Sequence, residues 1–499
     1  MIYLRLLHHN YEYEIKEFLK QYFRNEEIRT IGQLTSPLKE EDPFVITNGL
    51  SKIGSRTLFY SRIERGNEVI SNAETMKDSN SFNTDSAKTK WEKIYLKITL
   101  YKAMERGFKR KLPWGILTGI RPSKIVHSLL DRGLDRKDIT NQLKYQYLVS
   151  DNKSDLLLKV AENEREILYP YDKKKVSIYV GIPFCPTKCI YCSFVSNVLG
   201  KDREILKDYI NALCLEICEI ARYLKKHRID VESLYIGGGT PTILDHVGLE
   251  YLLDFISGVL DIDKIEEYTL EAGRPDTIDE KKLEIALDHG VNRISINPQT
   301  MNEKTLDRIG RRHSPKDIKK TYYIAKQMGF SIINMDLILG LPGESIEEVK
   351  KTLEEIITLE PENITIHTMS IKRGSKLKEQ EDPFFFQREE VVLSMLEYTQ
   401  MFLEKNAYQP YYLYRQKYMM GNLENVGYCM GNCKSIYNIQ MMGDKQTIIG
   451  LGAGATTKLI FIEENRIERM INIKNVSLYI ERLQEMLDRK LELLDTLYQ

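Results

Sequence analysis

Cysteine and histidine are scarce in this chain, with 7 and 8 copies among 499 residues, and the cysteine count is odd. A disulfide-stapled scaffold is excluded, because such proteins pack paired cysteines densely into short chains. Charge of one sign is also missing, since 72 Lys and Arg balance 72 Asp and Glu. The chain as a whole therefore exerts no pull on nucleic acid or an anionic membrane, and any anion must be drawn by local cations. No apolar run of about 18 residues occurs, so no membrane span is expected. The opening residues, MIYLRLLHHNYEYEIKEF, turn acidic and helical before an apolar core of signal-peptide length develops. The expected compartment is the reducing cytoplasm. Tryptophan is limited to Trp91 and Trp114.

What is present is ordinary globular material. With 42% hydrophobic and 29% charged residues, a sizeable core is available and disorder is not expected. At about 150 residues per domain, the length suggests two to four domains. Residues 1–90 form an expected α+β region, with strands at Phe44–Ile46 and Thr57–Tyr60 and an amphipathic helix from Glu14 to Phe23. The polar stretch Ser71–Thr89 lacks periodicity and is expected to be a loop or linker. Residues 91–170 are expected to be helical, starting with a helix over Lys90–Arg106.

The pattern changes over residues 171–373. Short β-branched runs at Val176–Ile182, Ser233–Ile236, Tyr268–Leu270, Arg293–Ile296, Ile332–Ile338 and Ile364–Ile366 alternate with helical segments. One such helix covers Arg203–Leu224, and another has Ser345 as its N-cap. Six β/α units imply a parallel sheet, open or curved into a partial barrel, with chemistry at the C-terminal strand ends. Residues 374–499 read as a C-terminal α/β lid.

The strongest local signal follows the first of these strands, in Cys185-Pro-Thr-Lys-Cys189-Ile-Tyr-Cys192. Spacings of three and two residues let one short loop wrap three thiolates around an inorganic cluster. Three ligands on a four-iron cluster leave one iron open for chemistry, whereas ferredoxins close the fourth corner with another Cys. A structural zinc site would need a fourth ligand, and none lies nearby in sequence. Further polar or glycine-rich strand ends follow in order. They are Gly237-Gly-Gly-Thr-Pro-Thr242, Glu271, Gln299, Arg311 in Gly-Arg-Arg-His, and Asp336 in Asp-Leu-Ile-Leu-Gly-Leu-Pro342.

The three-Cys loop, with an aromatic before its last Cys, resembles the radical S-adenosylmethionine (radical SAM) superfamily. The resemblance implies that Cys185, Cys189 and Cys192 hold a 4Fe–4S cluster whose open iron is chelated by the methionine moiety of the cofactor. One electron then cleaves the S–C5′ bond and yields a 5′-deoxyadenosyl radical. Tyr191 would pack near the adenosyl group. The implied fold is α/β: a partial (β/α)6 radical SAM barrel with an N-terminal α+β extension and a C-terminal α/β lid.

The ordered set Tyr-Val-x-Ile-Pro-Phe-Cys, Gly-Gly-Gly-Thr-Pro-Thr, Gln, Gly-Arg and Asp-Leu-Ile-x-Gly-Leu-Pro is similar to the oxygen-independent coproporphyrinogen III oxidase family over Val176–Ile371. That similarity implies one or two S-adenosylmethionines, with Tyr179 by the sulfonium. Gly238, Gly239, Thr240, Glu271, Gln299, Arg311, Asp336 and Ser370 would line the cofactor sites. The implied reaction turns two propionates of coproporphyrinogen III into vinyls, with reduced flavodoxin or ferredoxin as electron donor. The family's founding pattern has His where this chain has Gly181, and a further Cys where it has Phe194. Cys-x-Phe is shared with a haem-chaperone branch, whose C-terminal His-Asn-x-x-Tyr-Trp signature is absent here. The alternatives are therefore a haem-binding chaperone or a radical reaction on another tetrapyrrole. The N-terminal extension resembles a long subgroup, most distinctively in Gly115-Ile-Leu-Thr-Gly-Ile-Arg-Pro-Ser-Lys124.

Weaker features are compatible with structural and functional readings alike. Arg121, Pro122 and Lys124 suit either an anion site at a helix start or a plain cap. Tyr411, Tyr412, Tyr414, Arg415 and Lys417 suit either a flat macrocycle with carboxylates or an edge strand. Cys429 and Cys433 are expected to be free thiols, and Cys214 and Cys218 small buried hydrophobes. Gly450-Leu-Gly-Ala-Gly454 mimics a dinucleotide fingerprint, but a strand rather than a helix follows it. A small-residue loop near the substrate is expected there instead.

Overall fold

The computed structural model describes residues 1–24, 26–32, 42–79, 82, 84–193, 197–199, 203–370, 388–416 and 419–498. Phe194, Lys417 and the expected boundary at Gly374 lie outside the described residues. The chain divides into two units, Met1–Leu158 and Lys159–Gln499. Among the described residues, no helix is long and apolar enough to cross a membrane.

The first unit is built on a five-stranded sheet in the order β2-β1-β3-β4-β5. Its elements are β1 (Ile2–Leu7), α1 (Glu12–Leu19), β2 (Ile28–Ile31), β3 (Phe44–Ile53), β4 (Arg56–Arg65), β5 (Glu68–Asp78) and α2 (Asp85–Phe108). Then come α3 (Ser123–Asp131), α4 (Arg136–Asn141), a π-turn at Gln142–Gln146 and α5 (Asp151–Leu168), within which the division falls. Ile15, Phe18 and Leu19 of α1 and Leu96 and Leu100 of α2 are buried with Phe59 and Ile63 of β4. Buried Asn48 of β3 donates to Ser61 Oγ at 2.8 Å and to the Leu96 carbonyl at 3.1 Å, tying sheet to helix.

Two expectations fail here. Ser71–Thr89 is not a loop throughout, because it contains most of β5 and the start of α2. β5 pairs with β4 along its length as an edge strand, so polar side chains face water and hide the strand period. The boundary expected at 90/91 falls inside α2, which starts at Asp85 with Thr84 as N-cap.

The second unit holds an eleven-stranded sheet in the order β14-β15-β13-β12-β11-β10-β9-β6-β16-β17-β18. Here β6 (Lys175–Ile182) is followed by the short pair β7 (Phe184–Cys185) and β8 (Asn197–Val198), then by α6 (Glu204–His227). The alternation continues with β9 (Asp230–Gly238), α7 (His246–Val259), β10 (Glu267–Glu271), α8 (Glu280–Asp288) and β11 (Arg293–Ser295). Next come α9 (Glu303–Arg308), α10 (Pro315–Met328), β12 (Ile332–Leu339), α11 (Ile346–Ile357), β13 (Asn363–Thr368) and α12 (Glu389–Lys405). β6 and β9 to β13 are mutually parallel, so the six expected β/α units are present. Sequence-encoded caps start the helices: Ser345 accepts from the N-terminal turn of α11, and Glu348 completes the capping box.

The C-terminal residues are α/β, as expected, and their strands join the same sheet. β14 (Gln409–Tyr414) and β15 (Asn425–Cys429) extend the sheet beyond β13. After α13 (Ile436–Gly443), β16 (Thr447–Leu451) pairs in parallel with β6 at the other end. β17 (Thr456–Phe461) and β18 (Arg466–Ile471) continue outward, and α14 (Val476–Glu481) and α15 (Leu483–Tyr498) close the chain. The lid residues thus supply five strands to the barrel's own sheet.

A buried ion pair fixes this arrangement. Glu216 of α6 and Lys490 of α15 both have 0% exposed side chains. Burial opposes the Glu216 charge, but Lys490 and the hydrogen bonds of Tyr479 and the Gly452 N–H hold its carboxyl below the ordinary value. Lys490 also donates to the Gly450 carbonyl at 2.6 Å, and Tyr209 donates to the Gly181 carbonyl at 2.5 Å. Gly452 has φ +95, and a Cβ there would lie 2.6 Å from the Gly181 carbonyl oxygen. The Gly450–Ala455 segment is therefore packed tightly against β6. Lys490→Met is expected to destabilise this unit by about 3–5 kcal/mol, because Glu216 would stay buried without its counter-charge. Urea unfolding followed by circular dichroism checks this. E216L/K490M should cost less than K490M alone, and equal midpoints for K490M and the native protein would contradict the assignment.

Candidate active site at the parallel strand ends

The cysteine loop is stapled by backbone bonds to its neighbours. Gly239 N–H donates to the Ile182 carbonyl and Thr240 N–H to the Phe184 carbonyl, each at 2.8 Å. Phe184 itself is buried. A Cβ on Gly239 would lie 2.4 Å from the Phe184 carbonyl oxygen and 2.9 Å from Cys185 Sγ, so only glycine permits this approach. At the far end of the loop, Ile190 N–H donates to the Ile309 carbonyl at 3.2 Å. The thiols have neighbouring donors as well, with Thr240 Oγ1 at 3.6 Å from Cys185 Sγ and Arg274 Nη1 at 4.0 Å from Cys189 Sγ.

Beyond the cysteines lies a cavity of about 490 Å³. The three cysteines and the ten residues expected to hold the cofactor all line it. They converge because β6, β9, β10, β12 and β13 end at the same edge of one parallel sheet. Glu271 ends β10, where it accepts from Tyr235 Oη and, at 3.1 Å, from the Gly238 N–H. Burial, offset in part by these donors, pushes its carboxyl up to about 7, with nearby Asp336 adding to the rise. Burial would also raise Asp336, but hydrogen bonds from His367 and Asn334 hold its carboxyl below the ordinary value. Gln299 has φ +70, a sparsely populated conformation for a side-chain-bearing residue and one that marks functional sites. Its N–H donates to the Asp336 carbonyl at 2.9 Å.

Arg311 is buried against the other side of the cysteine loop. It donates to Tyr191 Oη at 3.0 Å and to the Gly273 carbonyl at 2.9 Å, while its buried Nε has no partner. A buried guanidinium with a donor left over suits an anionic ligand. Thiols, close glycine backbone, two carboxylates and this guanidinium together fit an iron–sulfur cluster with an amino-acid-bearing nucleoside.

An aromatic wall completes the cavity, and two of its three rings escaped sequence reasoning. Tyr235 and Tyr437 stack with centroids 4.5 Å apart, and Tyr179 lies 6.1 and 6.2 Å from them. Burial raises the Tyr179 phenol above its ordinary value. Tyr437 is delivered by α13, whose N-terminus is capped by buried Glu267. That carboxylate accepts from Ser435 Oγ at 3.0 Å and from the N–H groups of Ile436 and Tyr437 at 2.7 and 3.1 Å. Arg293 pairs with Glu267 at 3.2 Å and also holds the Cys433 and Lys434 carbonyls. Tyr235 has a local signal, since it lies two residues before Gly237 and so on the same strand face. Tyr437 has none.

Other expected contacts lie elsewhere. Tyr411 and Tyr412 sit in a buried cluster with Leu168, Cys429 and Ile439. Arg415 is buried and donates to the Asn422 carbonyl at 2.7 Å, so among the described residues of that expected set only Tyr414 lines the cavity. All seven cysteines are free of disulfides, and burial pushes the Cys429 and Cys214 thiols up to about 12. Arg121 and Lys124 belong to the first unit, at the start of α3.

Residues 179–356 match the radical SAM superfamily. The chain is 40% identical over 390 residues to the oxygen-independent coproporphyrinogen-III oxidase-like protein HemZ of Bacillus subtilis, covering 77% of this chain and 78% of that protein. It is 30% identical over 286 residues to the heme chaperone HemW of Escherichia coli, covering 57% of this chain and 71% of that one. The structure of coproporphyrinogen III oxidase (HemN) from Escherichia coli, a radical SAM enzyme, matches with a TM-score of 0.51 at 20% identity. That match covers 65% of this chain and 72% of that chain, and it shows the fold.

Glu271 makes a pH-dependent prediction for the ligand-free protein. Its folded-state value of about 7 lies above the ordinary 4.5, so the folded state holds a proton that the unfolded chain has released. Stability should therefore fall as pH rises between these values. Glu271→Gln is expected to raise the melting temperature relative to the native protein at pH 8. The gain should vanish near pH 4.5, and a pH-independent difference would argue against the raised carboxyl.

Proposed function

Since the chain belongs to the radical SAM superfamily and, within it, to the oxygen-independent coproporphyrinogen III oxidase-like family, we propose that it oxidatively decarboxylates the propionates of a porphyrinogen, with coproporphyrinogen III as substrate. The family's cofactors are a 4Fe–4S cluster and S-adenosylmethionine. The observation that carries the reading is the convergence of the cysteine loop, the polar strand ends and the tyrosine wall on one cavity.

Cys185, Cys189 and Cys192 would hold the cluster, and together the two cofactors supply a hydrogen-abstracting 5′-deoxyadenosyl radical. Gly238 and Gly239 let backbone approach the methionine end. Arg311 offers its unpartnered Nε to the cofactor carboxylate, and Glu271 and Asp336 accept from the ribose hydroxyls. Tyr179 packs against the sulfonium, while Tyr235 and Tyr437 present a flat face to an aromatic ligand. Lys188, which also lines the cavity, is a local cation for a substrate carboxylate. Each vinyl formed requires one hydrogen atom to leave the propionate β-carbon, one CO2 to depart and one electron to pass to an acceptor.

A second reading, a haem-binding chaperone, is supported by the similarity to HemW. Anaerobic reconstitution separates the two. The expected result is 5′-deoxyadenosine from the native protein and none from Cys189→Ala, with coproporphyrinogen III losing two CO2. Reductive cofactor cleavage without any decarboxylated product would overturn the substrate. Stoichiometric haem binding with no turnover would favour the chaperone.

A further inference from the structure

Arg274 lies in the loop after β10, three residues past Glu271, and is 4% exposed. Its guanidinium works on two fronts. Nη1 donates to Thr187 Oγ1 at 2.9 Å and to the Thr187 carbonyl at 3.2 Å, and it lies 4.0 Å from Cys189 Sγ. Nε and Nη2 form a forked pair with Asp276, at 3.0 and 2.9 Å. His313, also buried, places Nδ1 3.9 Å from the same carboxylate. One side chain thus grips the cysteine loop between its first two cysteines while its charge is partly balanced from behind.

We propose that Arg274 is a positioning residue for the cluster: it fixes the Cys185–Cys189 segment and, through its charge beside Cys189, raises the cluster's reduction potential. Reduction adds one negative charge to a group already bound by three thiolates. A cation held a few ångströms from one sulfur, in a site shielded from water, favours the reduced state. Asp276 tempers that field because it shares the guanidinium. Lysine could supply the charge, but it lacks the planar fork needed to reach Thr187 and Asp276 together. The inference stands on the cluster and not on the substrate, so it survives or fails independently of the porphyrinogen assignment.

The test is an anaerobic redox titration of the reconstituted protein, with the reduced cluster followed by electron paramagnetic resonance. Arg274→Gln keeps an N–H for Thr187 without the charge, and its midpoint should shift to more negative potential. Arg274→Lys should stay nearer the native value. Asp276→Asn leaves the Arg274 charge unbalanced, and its midpoint should shift the opposite way. Opposite signs for R274Q and D276N are not what a purely structural role would give. Unchanged midpoints in both variants, or shifts of the same sign, overturn the proposal. Should R274Q fail to take up iron, D276N alone decides, because it retains Arg274: a positive shift supports the proposal and none refutes it.

Discussion

Two backbone hydrogen bonds, from Gly239 and Thr240 to the carbonyls of Ile182 and Phe184, hold the cysteine loop against the second strand of the barrel. The active-site geometry depends on them. They need a glycine where the loop backbone presses closest, and they place Cys185 Sγ beside the Thr240 hydroxyl. A loop with three thiols has no reason to hold its shape through local propensity. It is shaped by the elements on either side, through Gly239 after β9 at one end and Ile309 at the C-terminus of α9 at the other.

Behind that layer, buried charge is used as framework. Glu216–Lys490, Glu267–Arg293 and Lys458–Asp444 are ion pairs with side chains at most 4% exposed. Such pairs add little net stability compared with apolar residues, but breaking one half is severe. Each also reaches backbone groups. Glu267 caps α13 and so aims Tyr437, while Glu216 binds the Gly452 N–H and so braces the turn behind Gly181. Side chains from the C-terminal quarter of the chain thereby take part in the site of the central barrel.

Local features were the legible ones. The cysteine triplet, the triple glycine and the polar strand ends announce themselves within a few residues, and parallel-sheet logic brings them to one edge. The hidden features depend on distant partners. Nothing in Thr447–Leu451 indicates that it inserts beside β6, and nothing in Ile436-Tyr437 indicates that a glutamate 169 residues earlier accepts from that backbone. Arg415 follows a tyrosine run, but its guanidinium is buried near Glu424 and donates to the Asn422 carbonyl seven residues on, partners that the local sequence pattern does not reveal. β5 was missed because an edge strand in water need not alternate.

The sheet order has a consequence for how the protein comes into being. β6 is flanked by β9 and by β16, and Val176 pairs with Thr447. During synthesis the earlier barrel strands can collect their helices as they emerge, but one side of β6 stays without its neighbour until Thr447–Leu451 has left the ribosome. An unpaired strand edge next to three free thiols is open to wrong pairing. Closing it requires a contact of very long sequence separation, which is slow to form. The order of translation thus makes the insertion of β16, and not the first cofactor-binding loop, the step that gives β6 its second neighbour.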